Sequence, residues 1–149
     1  MAEYVYVEEQ AVALNAPLIF RNSIPCNKGY VYHANETGIF TLRGATQNCF
    51  ARYELEFVGN VALPEGGTAG PVAIAFTLNG ETIPASLSIN TLAAVEEYEN
   101  ISSIATVDVP RGCCFSVAVR HVDADADPTT TPAPVLNVQN ATLRIKRTA

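Results

Sequence analysis

The sequence predicts an all-β fold, a sandwich or barrel of antiparallel strands. Apolar and polar residues alternate with a period of two along much of the 149-residue chain, which is typical of strands with one buried face. Turn residues recur roughly every ten positions and separate about eight or more short β-rich segments, the spacing of sandwiches and barrels. The length suits one folding unit, so we expect a single domain over residues 1–149.

The first half of the chain consists of short segments with strand character. The pattern predicts strands over residues 4–8, 16–20, 30–33, 39–43 and 49–58. The last of these is the clearest, because four apolar side chains face one way: Ala51, Tyr53, Leu55 and Phe57. The charged residues between them face the other way, so this strand has one dry and one wet side.

The second half begins after a glycine-rich loop over residues 64–70. A strand over 72–78 ends at Asn79-Gly80, the strongest hairpin signal in the chain. A return strand is expected over 83–89, with Pro84 placing it at an edge. Residues 90–99 fit a short helix or a strand, and we favour the strand. Three further strands are predicted, with an acidic, Pro-rich loop over 123–134: 101–109, 115–119 and 135–145.

The charge composition excludes some classes of partner. The net charge is −6, from 9 basic and 15 acidic residues, so we expect no nucleic-acid binding. Arg144, Lys146 and Arg147 lie on the predicted last strand, where basic side chains commonly protect a sheet edge. Charged residues make up 16% of the chain, against about 25% in average domains. Either subunit contacts cover part of the surface, or the surface is an uncharged, threonine-rich β face.

The N-terminus has no features of a signal peptide, since it lacks a basic start and an apolar core. No apolar stretch approaches the roughly 18 residues of a membrane span, so no membrane partner is expected. We therefore expect the protein to be made in the cytoplasm.

The order of the strand motifs resembles that of a known superfamily. The motifs are TGIFTL at 37–42, YELEF at 53–57, AIAFTLNG at 73–80, VDVPRG at 107–112 and NATLRI at 140–145. They resemble bacterial and phage members of the C1q/TNF-like jelly-roll superfamily, such as the C-terminal domains of collagen-like spore-surface glycoproteins. The resemblance implies an antiparallel jelly-roll β-sandwich that forms a homotrimer on a virion, spore or cell surface.

The chain departs from the spore-surface proteins in two respects. It has no Gly-X-Y collagen stalk, which favours a standalone particle component. Its four cysteines are also not part of the superfamily pattern: Cys26, Cys49, Cys113 and Cys114. They predict a possible disulfide within or between subunits, formed outside a reducing compartment. Strand alternation puts Cys113 on the buried face with Phe115, and Cys114 on the opposite face.

No constellation in the sequence predicts catalysis or a cofactor. A metal-dependent jelly-roll enzyme needs two or three histidines, whereas His33 and His121 are far apart in the chain. Asp123, Asp125 and Asp127 alternate as in the first half of a calcium loop, but its later glycine and glutamate are missing. They form only a weak calcium candidate, and a solvated acidic turn is the preferred interpretation.

These observations lead to a non-enzymatic structural protein of a phage or phage-like virion: a capsid decoration, head-fibre or tail-associated jelly roll. Its expected partners are its own copies and a particle or surface protein, and its expected location is the particle surface. One alternative is a bacterial spore-coat or cell-surface protein of the same fold. Another is a lectin-like module in which Tyr4, Tyr6 and Tyr98 stack on a glycan. Four aromatic residues are expected in the core or a subunit interface: Tyr53, Phe57, Phe76 and Phe115.

Overall fold

The protein folds into two antiparallel β-sheets packed face to face. The computed structural model describes residues 2–24, 29–124 and 134–148. Within these ranges the chain forms twelve strands and one 3₁₀ turn, and it has no α-helix. The strands divide into two six-stranded sheets around a common apolar core. This architecture is an antiparallel jelly-roll β-sandwich, so the predicted fold class is confirmed.

The first sheet has β10 and β3 at its two edges. It consists of β1 (Ala2–Tyr6), β2 (Gln10–Ala13), β3 (Arg21–Ile24), β6 (Phe50–Ala62), β10 (Glu99–Pro110) and β12 (Val135–Arg147). The strand order is β10-β6-β12-β1-β3, and β2 pairs with β12 as well. The last strand of the chain is therefore central.

The second sheet contains the shorter strands. These are β4 (Val31–His33), β5 (Phe40–Arg43), β7 (Gly70–Leu78), β8 (Glu81–Thr82), β9 (Ser88–Leu92) and β11 (Cys114–Val122). The order is β4-β5-β11-β7-β8, with β9 also paired to β7. The edge strand β4 of the second sheet therefore lies near the edge strand β3 of the first sheet. On the other side of the sandwich β9 lies near β10, and the Asn90 side chain of β9 donates a hydrogen bond to the Asn100 carbonyl of β10.

The core follows the alternation seen in the sequence. Along β6 the inward side chains, from Ala51 to Phe57, are at most 1% exposed, and the charged residues between them face solvent. Aromatic rings join the two sheets, because Phe40 of β5 packs edge-on against Tyr4 of β1 and against Phe20. The buried apolar surface holds the sheets together, as expected for a sandwich.

The Asn79-Gly80 turn has the backbone that its sequence predicts. Both residues have positive φ, 51° and 89°, which matches the right-handed twist of a tight hairpin between β7 and β8. The Asn79 side chain also accepts a hydrogen bond from the Ser116 backbone N–H at 3.0 Å. The turn is thereby fixed to the neighbouring strand β11.

Three of the predicted strand assignments are wrong in detail. Residues 16–20 form only isolated bridges, at Pro17 and Phe20, instead of a continuous ladder. The predicted return strand over 83–89 is interrupted by a 3₁₀ turn at Pro84–Ser86, which the fixed φ of proline favours. The segment assigned as strand over 90–99 leaves β9 after Leu92 and turns over residues 93–98 before β10 begins.

Candidate interaction surface

A groove runs along one side of the sandwich, where the edge strand β10 faces the 3₁₀ turn of the second sheet. Its volume is about 620 Å³, and we call it the edge groove. Its lining residues come from β6, β10 and the 3₁₀ segment: Glu54, Leu55, Glu56, Ile83, Ala85, Ser86, Ile104, Ala105 and Thr106. The two sheets do not pair with each other here, because β10 pairs only with β6 in the described chain. The edge groove is therefore the open side of the sandwich.

Buried hydroxyl groups fix the floor of the edge groove. The Ser86 hydroxyl donates to the Ile83 carbonyl at 2.7 Å and accepts from the Phe76 N–H at 2.9 Å. The Ser103 hydroxyl of β10 donates to the Ser86 carbonyl, which ties the two sheets together. These bonds satisfy the Phe76 N–H of β7 and two carbonyls of the 3₁₀ segment in the interior. The groove is consequently shaped by the fold before any partner binds.

Three aliphatic side chains at this edge of the sandwich are exposed to solvent, and Ile104 among them lines the edge groove. Ile104 is 72% exposed, Ile89 is 52% exposed and Leu87 is 39% exposed. We call these three residues the aliphatic rim. The Ser103–Ser86 hydrogen bond joins the two sheets at this edge. In the strand registers Ile104 lies opposite Glu56 on the outer face of the first sheet, and Ile89 lies opposite Ala73 on the outer face of the second sheet. An exposed apolar edge beside an open groove is a feature of protein interaction sites.

The outer face of the first sheet carries paired charges. Arg144 contacts Glu3 at 3.2 Å, and Arg52 contacts Asp108 at 2.8 Å. In the register of β12 and β6, Lys146 lies opposite Glu54. The prediction that the basic residues of the last strand protect an edge is wrong, because β12 lies between β6 and β1. The charges of Arg144 and Lys146 instead complement acidic residues on neighbouring strands, whereas the Arg147 guanidinium covers the Tyr30 ring at 4.0 Å.

The two histidines are buried and belong to different parts of the fold. His33 stacks on Phe40, with its ring nitrogens bonded to the Asn22 side chain and the Thr37 carbonyl at 2.7 and 2.8 Å. His121 bonds to the Val12 carbonyl at 3.1 Å. Burial lowers the pKa of both imidazoles, although their bonds to backbone carbonyls act in the opposite direction. Each imidazole therefore forms hydrogen bonds with neighbouring side-chain or backbone groups of the protein, and in this way it links separate segments of the chain.

The predicted aromatic residues lie in the interior. Tyr53 and Phe57 are 0% exposed and Phe76 is 1% exposed, whereas Phe115 is half-buried against the core. The Tyr53 hydroxyl bonds to the Arg43 carbonyl at 2.6 Å. None of these four side chains lies on the aliphatic rim.

The tyrosines proposed to stack on a glycan are differently placed. Tyr4 is 2% exposed, so it packs in the core and the proposal that it contacts a sugar is wrong. Tyr6 is half-buried, and the Arg21 guanidinium covers its ring at 4.8 Å. Tyr98 is 38% exposed, and its hydroxyl donates to Glu9. Burial and Glu9 raise the pKa of Tyr98 to about 12.

The described cysteines are free and exposed: Cys49, Cys113 and Cys114. Exposure of Cys113 contradicts the prediction of a buried thiol, because β11 begins only at Cys114 and Cys113 still belongs to the turn. Cys26 lies outside the described residues, and disulfide formation stays a prediction.

Of the calcium candidates, Asp125 and Asp127 also lie outside the described residues. Residues 2–24, 29–124 and 134–148 contain no cluster of three His, Cys, Asp or Glu suited to a metal.

Comparisons with known proteins identify the fold. No protein-family model and no curated protein sequence matches the chain. Among solved structures, Eiger TNF from S. frugiperda is 11% identical, with 100% of this chain and 92% of that chain covered at a TM-score of 0.68. The globular domain of zebrafish complement 1qA protein is also 11% identical, with 96% and 94% covered at a TM-score of 0.58.

The chain thus has the C1q/TNF-like jelly-roll fold, as the order of its motifs predicted. Identity at this level establishes the shared fold, and function has to be argued from the surface. In the part of the chain that the structure describes, no helix is long and apolar enough to span a membrane.

Sequence reasoning missed the aliphatic rim, although a signal for Ile104 was present. Along β10 the outward positions are Ser102, Ile104, Thr106 and Asp108, so one aliphatic residue interrupts a polar face. By contrast, nothing in the sequence places Leu87 and Ile89 at the same edge of the sandwich as Ile104, since that placement depends on how the two sheets meet.

Proposed function

We propose that this protein is a non-enzymatic structural component of a phage or phage-like particle, displayed on the particle surface as a homotrimer. The observation that carries the proposal is the aliphatic rim on a C1q/TNF-like sandwich. Among the large apolar side chains of the described residues, Ile104 is the most exposed, at 72%. Burying such a side chain against a neighbouring copy stabilises an assembly by about 1.5–3 kcal/mol.

A second copy of the chain suits this edge better than a small molecule does. Beside Ile104 the groove lining carries the carboxylates of Glu54 and Glu56 and the hydroxyls of Ser86 and Thr106. The Ser86 hydroxyl is already bonded to the backbone. The register partners of Glu54 and Glu56 on β12 are Lys146 and Arg144, so the outer face beside the groove has both signs of charge. Mixed charge around an apolar centre is the composition of a subunit interface.

The oligomeric state tests the proposed assembly. Light scattering on the reduced protein should give a mass three times the 15.9 kDa of one chain. The Ile104→Lys variant should be monomeric at the same concentration, because a charge at the rim cannot be buried without a partner. Ile24→Lys is the matched control: Ile24 is 46% exposed, but it lies on β3 at the other edge of the sheet.

A monomeric wild-type protein would exclude the trimeric assembly. A trimer that survives Ile104→Lys but not Ile24→Lys would place the interface at the opposite edge and remove the role assigned to the aliphatic rim. Circular dichroism of both variants separates loss of assembly from loss of folding.

The proposed location on a phage particle is tested by identifying the genes that flank the gene for this protein. Capsid and tail genes on both sides support the proposal, whereas sporulation genes would replace it with a spore-coat or cell-surface role.

A glycan array tests the lectin alternative. Specific binding lost in Tyr98→Ala would favour that function, and the structure gives Tyr98 the exposed ring that it requires.

A further inference from the structure

The edge strand β10 has one side along which no other strand pairs with it. It is 12 residues long, and within the described chain it pairs only with β6. In an antiparallel ladder, successive residues direct their N–H and C=O alternately toward the neighbouring strand and away from it. Every second residue of β10 therefore directs its backbone polar groups to the free side of the sheet.

Three observations identify the even-numbered residues as those that face the free side. The Asn100 carbonyl accepts a hydrogen bond at 3.1 Å from the Asn90 side chain of β9, which lies beyond the edge of the first sheet. The Arg111 N–H, just after β10, donates to the Cys49 carbonyl at 2.9 Å, so the odd-numbered residues bond toward β6. Pro110 has no N–H to donate and is even-numbered, as expected if that position needs no ladder bond.

The open part of this edge lies at Ile104, Thr106 and Asp108. No hydrogen bond joins the backbone of these three residues to a segment other than β6 anywhere in the described chain. The edge groove lies directly beside them, because Ile104 and Thr106 line it. An unpaired backbone edge next to an open groove is the arrangement to which an extended peptide adds as a further strand.

The inner side of the groove, toward the second sheet, is apolar. The Ser103 side chain is buried, and its hydroxyl donates to the Ser86 carbonyl, so the 3₁₀ segment lies under the inner side of β10. Ile83 and Ala85 line the groove there. Side chains of an added strand alternate between the two faces of the sheet, so every second one would contact these aliphatic groups.

The outer side of the groove is acidic. Glu54 and Glu56 line it, and within the described residues neither carboxylate forms an ion pair. Glu54 is exposed and lies opposite Thr106, whose side chain is short. A basic residue of an added strand opposite Thr106 would lie two strand spacings from Glu54, about 10 Å between Cα atoms, which the two side chains can span together.

We propose that β10 binds an extended segment of a partner protein as an additional strand along residues 104–108. The segment consists of β-branched residues around a central lysine or arginine. Its backbone bonds the free N–H and C=O groups of Ile104, Thr106 and Asp108, and its basic side chain pairs with Glu54. The inference goes beyond the proposed function and does not depend on it, because strand addition uses the backbone edge, whereas the proposed trimer buries the Ile104 side chain.

The probe is the synthetic peptide valine-valine-lysine-valine-valine, acetylated, amidated and fluorescently labelled. Its sequence reads the same in both directions, so it fits a parallel or an antiparallel addition. Fluorescence anisotropy with the full chain should show saturable binding. The same peptide N-methylated at every residue lacks N–H donors and should not bind, and a central glutamate in place of lysine should weaken binding about tenfold.

Protein variants test the edge and the carboxylate separately. Thr106→Pro removes an N–H that faces the free side and leaves the bonds to β6, so it should weaken binding about 5–10-fold. Thr106→Ala is the matched control and should bind as the wild type does. Glu54→Gln should weaken the lysine peptide about 2–5-fold and leave a peptide with central glutamine unaffected.

Amide hydrogen exchange measured by NMR locates the added strand. In the free protein the N–H groups of Ile104, Thr106 and Asp108 should exchange faster than those of Ala105 and Val107, and the peptide should slow the first set alone. The inference is overturned if the peptide does not bind, if folded Thr106→Pro binds it equally well, or if protection appears elsewhere. Circular dichroism checks the fold of each variant, and the N-methylated peptide keeps the test decisive if Thr106→Pro does not fold.

The same exchange data separate this inference from the proposed trimer. Slow exchange at Ile104, Thr106 and Asp108 without peptide, which becomes fast in Ile104→Lys, would show that a neighbouring copy covers the edge. That result would support the trimer and overturn strand addition by a partner. A monomeric wild type that binds the peptide at residues 104–108 would do the reverse.

Discussion

Gly44 lies in a position with no room for a side chain. A Cβ would lie 2.1 Å from the Pro110 carbonyl oxygen and 3.0 Å from its carbonyl carbon. Both atoms are backbone, so no side-chain rotation can relieve the contact. The Gly44→Ala change must separate the loop before β6 from the end of β10 by ~1 Å or more to restore an ordinary contact distance.

Two hydrogen bonds set the magnitude of this effect. The Gly44 N–H donates to the Cys113 carbonyl at 2.8 Å, and the Gly112 N–H donates to the Gly44 carbonyl at 3.0 Å. At about 0.5–1.5 kcal/mol each, their loss lowers the free energy of unfolding by about 1–3 kcal/mol. A chain of this size loses roughly 2–4 °C in Tm per kcal/mol, so the midpoint should fall by about 2–12 °C.

Urea denaturation of the reduced wild type and the reduced Gly44→Ala variant, followed by circular dichroism, measures the difference in their free energies of unfolding. Gly70→Ala is the matched control, since a Cβ at Gly70 meets nothing within 4 Å. That variant should unfold at the wild-type midpoint or slightly above it, because alanine restricts the unfolded chain. Equal midpoints for Gly44→Ala and Gly70→Ala would refute the argument from close approach.

Two further predictions concern buried polar groups. The Ser86→Ala change removes the acceptor of the Phe76 N–H and should lower the free energy of unfolding by about 1–3 kcal/mol. The control Ser102→Ala, at an exposed position, should leave the free energy of unfolding nearly unchanged, and equal losses for the two variants in urea denaturation would contradict the prediction. Because burial lowers the pKa of His33 and His121, the unfolded chain binds more protons than the folded chain below pH ~6.5. Stability should therefore be complete above that pH and fall toward pH 5; denaturation midpoints that do not change between pH 7 and 5 would refute it.

The strongest sequence signals were those in which local geometry and burial agree. The alternation over residues 51–57 correctly predicted both faces of β6, because a strand with one buried face has to repeat every two residues. Asn79-Gly80 correctly predicted a hairpin, since few other residue pairs accept two positive φ angles. Signals of this kind depend only on neighbours along the chain.

Weaker signals failed where long-range pairing decides the conformation. Residues 16–20 are as apolar as a strand, yet they form only isolated bridges, and the Leu18 N–H bonds to the Val119 carbonyl of β11. Residues 83–89 looked like one strand, but Pro84 begins a turn that the Ser86 hydroxyl fixes to Phe76. In both segments the chain satisfies its backbone through distant residues, which composition does not reveal.

The sequence by itself determined that this chain is an antiparallel β-sandwich or barrel, and the order of its motifs indicated a C1q/TNF-like jelly roll as the fold. Only the tertiary structure placed the residues of the candidate sites. Ser103 and Ser86 are 17 positions apart, yet their hydrogen bond joins β10 to the 3₁₀ turn of the second sheet. Periodicity specifies which side of a strand is buried, whereas the pairing of distant strands specifies which exposed residues become neighbours.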